Sequence, residues 1–332
     1  MQDSPKQFHY RGVAIVADLF DNKEDTPLHL RHDLEMTHEE TREAVLTAVR
    51  ELGLKAYLYE TPRALATYAA NHTNDVVLSL FGGKHSRNRL ALIPAICEAF
   101  GLAYVGADAY SSIICQDKEV AKAIARDAGL DVASHRIIRH ASDSGSMDLP
   151  MPYVVKPLWE GSSIGIGPDN LVRTSSQGKA VIQRVLDTFH QPVLVEAFIP
   201  GREVSWCFLN GGGTDLVRSF TEIVWNDEPM HFDDHLYDAE HKSDDEKRAF
   251  RNIMKELEGG DAEAMERMLK LIGGLNYGRI DGKLKEGKFT FIEITPDPWL
   301  DPSGVFSSRF GLPFQEVIAR LLLSARKFPQ DQ

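Results

Sequence analysis

Cysteine is scarce in this chain. There are three in 332 residues, Cys97, Cys115 and Cys207, and none stands in a Cys-x-x-Cys pair. That excludes a disulfide framework and a thiolate zinc site, and the apolar neighbours of each cysteine make it a small core residue. Cations are in deficit too: 37 Lys plus Arg against 49 Asp plus Glu, a formal net charge of −12. A general nucleic-acid binder would carry a basic surface, so that class is excluded, although a local basic pocket for a nucleotide is not. No apolar run is long enough to span a membrane, and the polar stretch Met1 to His9 has no signal-peptide core. The chain is therefore expected to be cytoplasmic, without membrane or nucleic-acid partners. It also lacks internal repeats and low-complexity segments.

What is present is ordinary globular composition, 43% hydrophobic and 26% charged, at a length that suggests two or three domains. The first third alternates strands and helices. Strands are predicted at Gly12 to Leu19, Lys55 to Tyr59 and Asp75 to Phe81, and helices behind a Thr37/Glu40 capping box and over Leu90 to Phe100. That alternation predicts a parallel sheet with crossover helices. Asp117 can cap a helix through Ala128, with Val120, Ala121, Ile124 and Ala128 on one face. Beyond Ser134 the texture becomes α+β, with short strands such as "YVVKP", "VLVEAFI" and "EVSWCFL". Helices are predicted at Gly178 to Phe189, Asp261 to Ile272 and Phe314 to Ala325, and a hairpin turns around "KEGK". The domains read as 1–115, 116–205 and 206–332.

Chemistry gathers in a few stretches. In "VVKPLWEGSSIGI" a buried strand delivers Lys156 beside Gly161, Ser162, Ser163 and Gly165. Glycines let backbone N–H groups approach phosphate oxygens, and the hydroxyls add donors. A snorkelling lysine beside a plain hairpin loop gives the same pattern. "RID" places Arg279 and Asp281 on one strand face, and "FIEITPD" places Glu293 and Thr295 on one face of the next. Paired carboxylates suit Mg²⁺, and an arginine beside them can hold a phosphate or an oxyanion. There is a register condition. A two-residue turn at Glu286-Gly287 puts Asp281 opposite Ile292, so the carboxylates converge only if the hairpin contains a bulge or an odd-length connection. Phe289 and Phe291 share the parity of Glu293, which predicts a covered face. "VEAFIPGRE" could read an adenine edge with its backbone and a ribose with Glu203, and Lys118 opens a helix where its charge opposes the dipole.

Taken in order, Lys118, Lys156 with "EGSS", "VEAFIPGRE", "GRID" and "FIEITPDP" resemble the ATP-grasp superfamily, and within it the D-alanine–D-alanine ligase family, over about residues 12 to 325. The resemblance implies three α/β domains in an ATP-grasp fold: an N-terminal parallel-sheet domain and two α+β domains that hold ATP between them. It implies that Lys118 and Lys156 contact phosphates and that Glu160, Gly161, Ser162 and Ser163 form the covering loop. Glu196, Ala197, Phe198 and Ile199 would read adenine, and Glu203 would hold the ribose. Lys242 would reach ATP from a mobile loop, Arg279 would hold the oxyanion, and Asp281, Glu293 and Thr295 would bind Mg²⁺ or Mn²⁺. A homodimer acting on a small-molecule carboxylate and amine through an acyl phosphate is the implied assembly and reaction.

The sequence also departs from the family. Ser243 stands where tyrosine is usual and Thr295 where asparagine is, with Asp297 as a possible substitute donor. Pro298-Trp299 replaces Pro-Gly, Gly304 beside Ser303 replaces a substrate-holding serine, basic "SRNRLA" replaces an acidic segment, and the N-terminal loop lacks Ser-Ala-Glu. Residues on the ATP side are kept and those on the substrate side are not. The expectation is a ligase for something other than two D-alanines. A ring-forming enzyme acting within one molecule and a nucleotide-binding protein without turnover are the alternatives.

Overall fold

The computed structural model describes residues 8–21, 25–144, 148–210, 216–225, 228–229, 233–243, 248–304 and 306–327. The first sheet is wholly parallel. Its strands lie in the order Lys55–Tyr59, Gly12–Val16, Val76–Ser79, Ala103–Tyr104. Gly12–Val16 is buried throughout, as a central parallel strand with both faces covered must be. Two helices in this region, Pro62–Tyr68 and Ala109–Gln116, had not been expected. Both carry readable start signals: Thr61 caps the first, with Pro62 at its opening position, and Asp108 caps the second.

The capping box at Thr37 does not form. The helix Glu39–Glu51 is capped by His38 with no side-chain bond. Thr37 instead donates its hydroxyl to the Leu80 carbonyl, and its backbone pairs with Leu19. Tertiary pairing has outbid the local cap.

A second, antiparallel sheet holds His135–Ile138, Val193–Ala197, Tyr153–Pro157 and Leu171–Val172 in that spatial order, backed by the helix Ser175–Phe189. The third sheet is the largest. Arg202–Asn210 and Leu216–Trp225 pair antiparallel, the hairpin strands Tyr277–Lys285 and Lys288–Thr295 extend the sheet, and Asp131–Val132 adds a parallel edge. Its core packs Trp206, Phe208, Phe220, Phe289 and Phe291 against the helices Lys118–Asp127 and Gly259–Ile272. The final helix Phe314–Leu323 returns to the first sheet's cluster, where Val317, Ile318, Leu321 and Leu322 pack with Val45 and Val49.

Because the strand Arg202–Asn210 runs straight through residue 205, we place the limit between the second and third units at 198–201 rather than at 205. All three cysteines are free and buried. Among the described residues no helix is long and apolar enough to cross a membrane.

Candidate active site

The hairpin Tyr277–Lys285/Lys288–Thr295 decides the site. Its turn is the two-residue Glu286-Gly287, both with positive φ (53° and 82°), the conformation a tight primed turn requires. From there Leu284 faces Phe289 and Gly282 faces Phe291 in regular register. Between Asp281 and Gly282 the register shifts, so that Asp281 pairs with Glu293 and Arg279 with Thr295. Ile292 is the extra residue of a β-bulge.

The bulge meets the register condition. It also overturns the expectation that Phe291 and Glu293 share a face: Phe291 and Ile294 go to the core while Glu293 turns to the opposite side. Gly282 permits this local geometry, since a Cβ there would come within 2.3 Å of the Phe289 ring and 2.4 Å of the Thr290 carbonyl.

Asp281 and Glu293 open into a cavity of about 980 Å³ that lies against all three sheets. Every predicted site residue lines it: Lys118, Lys156, Glu160, Gly161, Ser162 and Ser163; Glu196, Ala197, Phe198, Ile199 and Glu203; Lys242, Arg279, Asp281, Glu293 and Thr295. The carboxylates and cations are interleaved. Arg279 Nε donates to Asp281, 2.7 Å from Oδ1 and 2.9 Å from Oδ2, and the Ser205 hydroxyl donates to Oδ1 at 2.6 Å. Lys118 Nζ lies 3.3 Å from Glu293 and donates to the Glu160 carbonyl. Burial by itself would push the Glu293 carboxyl up, but Lys118, Lys242, Lys156 and Arg279 outweigh it and hold the group at about 2. Lys283 Nζ sits 2.7 Å from Glu203.

Glu196 is a buried anion between two buried cations. Lys122 Nζ is 2.7 Å away and Lys156 pairs with the other oxygen. Burial opposes its charge, yet the two lysines bring it down to about 2. Lys122 was not anticipated. The helix Lys118–Asp127 buries Lys118, Ala121, Lys122 and Ala125, whereas Val120, expected on the apolar face, is 41% exposed. The four-residue spacing of Lys118 and Lys122 was the available signal, because it puts both on one helix face. Glu293 and Glu196, on strands of two different sheets, then offset their burial.

The Gly161–Gly165 loop is held from several sides. Ser162 and Ser163 both take positive φ (48° and 61°), a conformation that non-glycine residues adopt at a cost of about 1–3 kcal/mol when surrounding structure enforces it. At Gly161 a Cβ would meet Glu35 Oε1 at 2.0 Å. Ser163 donates to the Tyr237 carbonyl at 3.3 Å, and Gly165 N–H to the His29 carbonyl at 2.9 Å.

Arg89, from the basic "SRNRLA" segment, is buried. It pairs with Glu35 and, at 3.0 Å, with Glu160, whose other oxygen accepts from Gln191 at 2.8 Å. This segment, read from sequence only as a departure, fastens the first unit to the phosphate loop.

Lys242 is half-buried and lies 5.4 Å from the Tyr237 ring centroid. Burial pushes its ammonium down against the pull of Glu293. Residues 230–232 and 244–247, which flank Lys242, and the Ser243 side chain lie outside the described residues. Asp297 accepts from the Ala107 backbone N–H and the Tyr277 hydroxyl, and burial raises it to about 7. It is thus committed to the first unit's edge. Ser303 donates both its N–H and its hydroxyl to Asp301 Oδ1, at 2.8 and 2.6 Å.

Among the described residues no three His, Cys, Asp or Glu side chains cluster as a metal site. The donors that face the cavity are nonetheless hard oxygens: two opposed carboxylates and the Thr295 hydroxyl. Each carboxylate keeps lone-pair positions beyond its present partners. That set fits Mg²⁺ completed by phosphate oxygens and water.

Residues 124–323 match the family model described as the D-ala D-ala ligase C-terminus. The chain belongs to the D-alanine–D-alanine ligase family.

Its curated relatives include D-alanine–D-alanine ligases of Gluconobacter oxydans, 27% identical over 79% of this chain and 84% of that one, and of Citrifermentans bemidjiense, 26% identical over 85% and 89%. Among solved structures, the ATP complex of the D-alanine–D-alanine ligase from Bacillus anthracis superposes with a TM-score of 0.70 at 17% identity, covering 95% of this chain and 96% of that one. The VanG D-Ala:D-Ser ligase from Enterococcus faecalis gives 0.67 at 18% identity, covering 95% and 99%. The ATP-grasp fold is therefore the family's own.

Proposed function

We propose that this chain activates a small-molecule carboxylate with ATP and joins it to an amine. As a family member it is an ADP-forming carbon–nitrogen ligase. The observation that carries the site assignment is the bulge that brings Asp281 opposite Glu293, facing Lys118, Lys156 and the Gly161–Gly165 loop across one cavity.

A carboxylate is a poor electrophile because its leaving group would be oxide. Transfer of the ATP terminal phosphoryl group gives an acyl phosphate and ADP. The amine then attacks the acyl carbon and inorganic phosphate leaves. In this reading Lys118, Lys156 and Lys242 offset charge on the transferring group, while Glu196 to Ile199 and Glu203 seat the nucleoside. Asp281, Glu293 and Thr295 would hold Mg²⁺, which when bound shields the phosphate oxygens. Arg279 stabilises the tetrahedral oxyanion. The Ser163–Tyr237 contact closes the phosphate loop against 233–243 and keeps water from the acyl phosphate, with Ser162 beside the transferring group.

The substrate pair is read as something other than two D-alanines. Trp299 lines the cavity, and the Ser303 hydroxyl is already bound to Asp301. ADP release from Mg²⁺-ATP, measured against a panel of amino acids and amines, tests this. Stimulation by a carboxylate–amine pair is expected, with D-alanine alone a poor substrate. Tight ATP binding with no stimulated turnover would leave only a nucleotide-binding protein.

A homodimer is part of the same proposal. Leu92 and Phe100 on one helix and Tyr110 and Ile113 on the next are 40–70% exposed on neighbouring helices, an apolar surface that a second copy would cover. Light scattering should report a dimer that Ile113→Asp converts to monomer; a monomeric wild type would remove the proposal.

A further inference from the structure

In and behind the cavity wall, four side chains form a column. Arg31 is held in a buried, two-pronged pair with Asp33 at 2.8 and 2.7 Å. Its guanidinium lies 4.0 Å from the centroid of the Phe20 ring. Phe20 stacks on His38, centroids 4.7 Å apart and planes 16° off parallel, and His38 meets Trp299 at 4.9 Å and 66°. Phe20, His38 and Trp299 all line the cavity.

The backbone fixes this column. Leu19 and Thr37 form a parallel bridge, which sets Phe20 and His38 side by side. Pro296 and Pro298 each fix their own φ and so stiffen the chain that leads into Trp299. Even so, Trp299 is 43% exposed. A partly uncovered indole in a cavity wall offers a flat apolar face, and such a ring gains most from another flat or bulky apolar group.

We propose that this wall is the substrate pocket's specificity surface, and that the substrate it takes carries an aromatic side chain packed on Trp299 and His38. The role of the pocket rests on the ligase reading, but the contact itself can be tested without turnover. Calorimetric titration of the full chain, with Mg²⁺ and a non-hydrolysable ATP analogue present, would compare phenylalanine of either hand with alanine of either hand. Phenylalanine is expected to bind at least about tenfold more tightly. Trp299→Ala should erase that preference while leaving affinity for the nucleotide analogue within about twofold. Trp299→Phe, which keeps a ring, should retain most of it. Equal binding of phenylalanine and alanine, or a preference unchanged in Trp299→Ala, would overturn the proposal. A phenylalanine preference found without any ADP release would uphold this contact and sink the ligase reading instead.

Discussion

The two ends of the cavity are built by different physics. At the lysine end four cations have named anions: Lys118 with Glu293, Lys156 and Lys122 with Glu196, Lys283 with Glu203. These residues sit on paired strands and one helix, so backbone register sets their spacing. At the Trp299 end the contacts are ring against ring, carried on loops that a single bridge and two prolines restrain. The first arrangement suits a polyanion whose chemistry is fixed. The second is where a family can change its substrate without touching the phosphate machinery.

Four substitutions would break or sharpen this contrast, with effects that should decrease in the order given. Glu293→Ala should abolish ADP release while circular dichroism stays native; wild-type turnover would remove Glu293 from the site. Arg279→Met should lower kcat by about 10²–10³, the usual loss of one oxyanion donor, with KM for ATP little changed. A change confined to KM would make Arg279 a binding group only.

Glu196→Gln should cost about 3–5 kcal/mol of stability at pH 7, because it leaves Lys122 and Lys156 buried without their anion. The sign with pH follows from its depressed titration, about 2 against an ordinary 4.5. The native carboxylate's contribution is full above 4.5 and is lost as pH falls through 2. Denaturant midpoints of the two proteins should therefore converge across that window; a constant gap would mean Glu196 is not held by charge. Thr295→Asn should tighten Mg²⁺ binding by about tenfold, since an amide carbonyl is the better donor. No change would place Thr295 outside the metal shell.

Periodicity in the chain was enough for much of the fold. The strand Lys55–Tyr59 lies where its pattern put it, and the helices Ser175–Phe189 and Phe314–Leu323 agree with expectation to within three residues. These elements bury one strong face, and that face is written locally. The Thr37 cap failed because a hydroxyl can satisfy a distant carbonyl as well as a near amide, and sequence does not rank the two. Lys122 and Arg89 were missed for a related reason. A buried cation is legible only once its anions are known to be close, and Glu196, Glu35 and Glu160 are distant in the chain.

By itself, then, the sequence determined which residues could hold a nucleotide and a hard cation, because residue type and strand alternation are local properties. Whether the carboxylates Asp281 and Glu293 faced each other was left to tertiary structure. A tight turn at Glu286-Gly287 would have set them on opposite faces, and the bulge at Ile292, between the core residues Phe291 and Ile294, turned Glu293 back toward the lysines. Register over a whole sheet is a balance of many side-chain contacts, and no short stretch of the chain contains it.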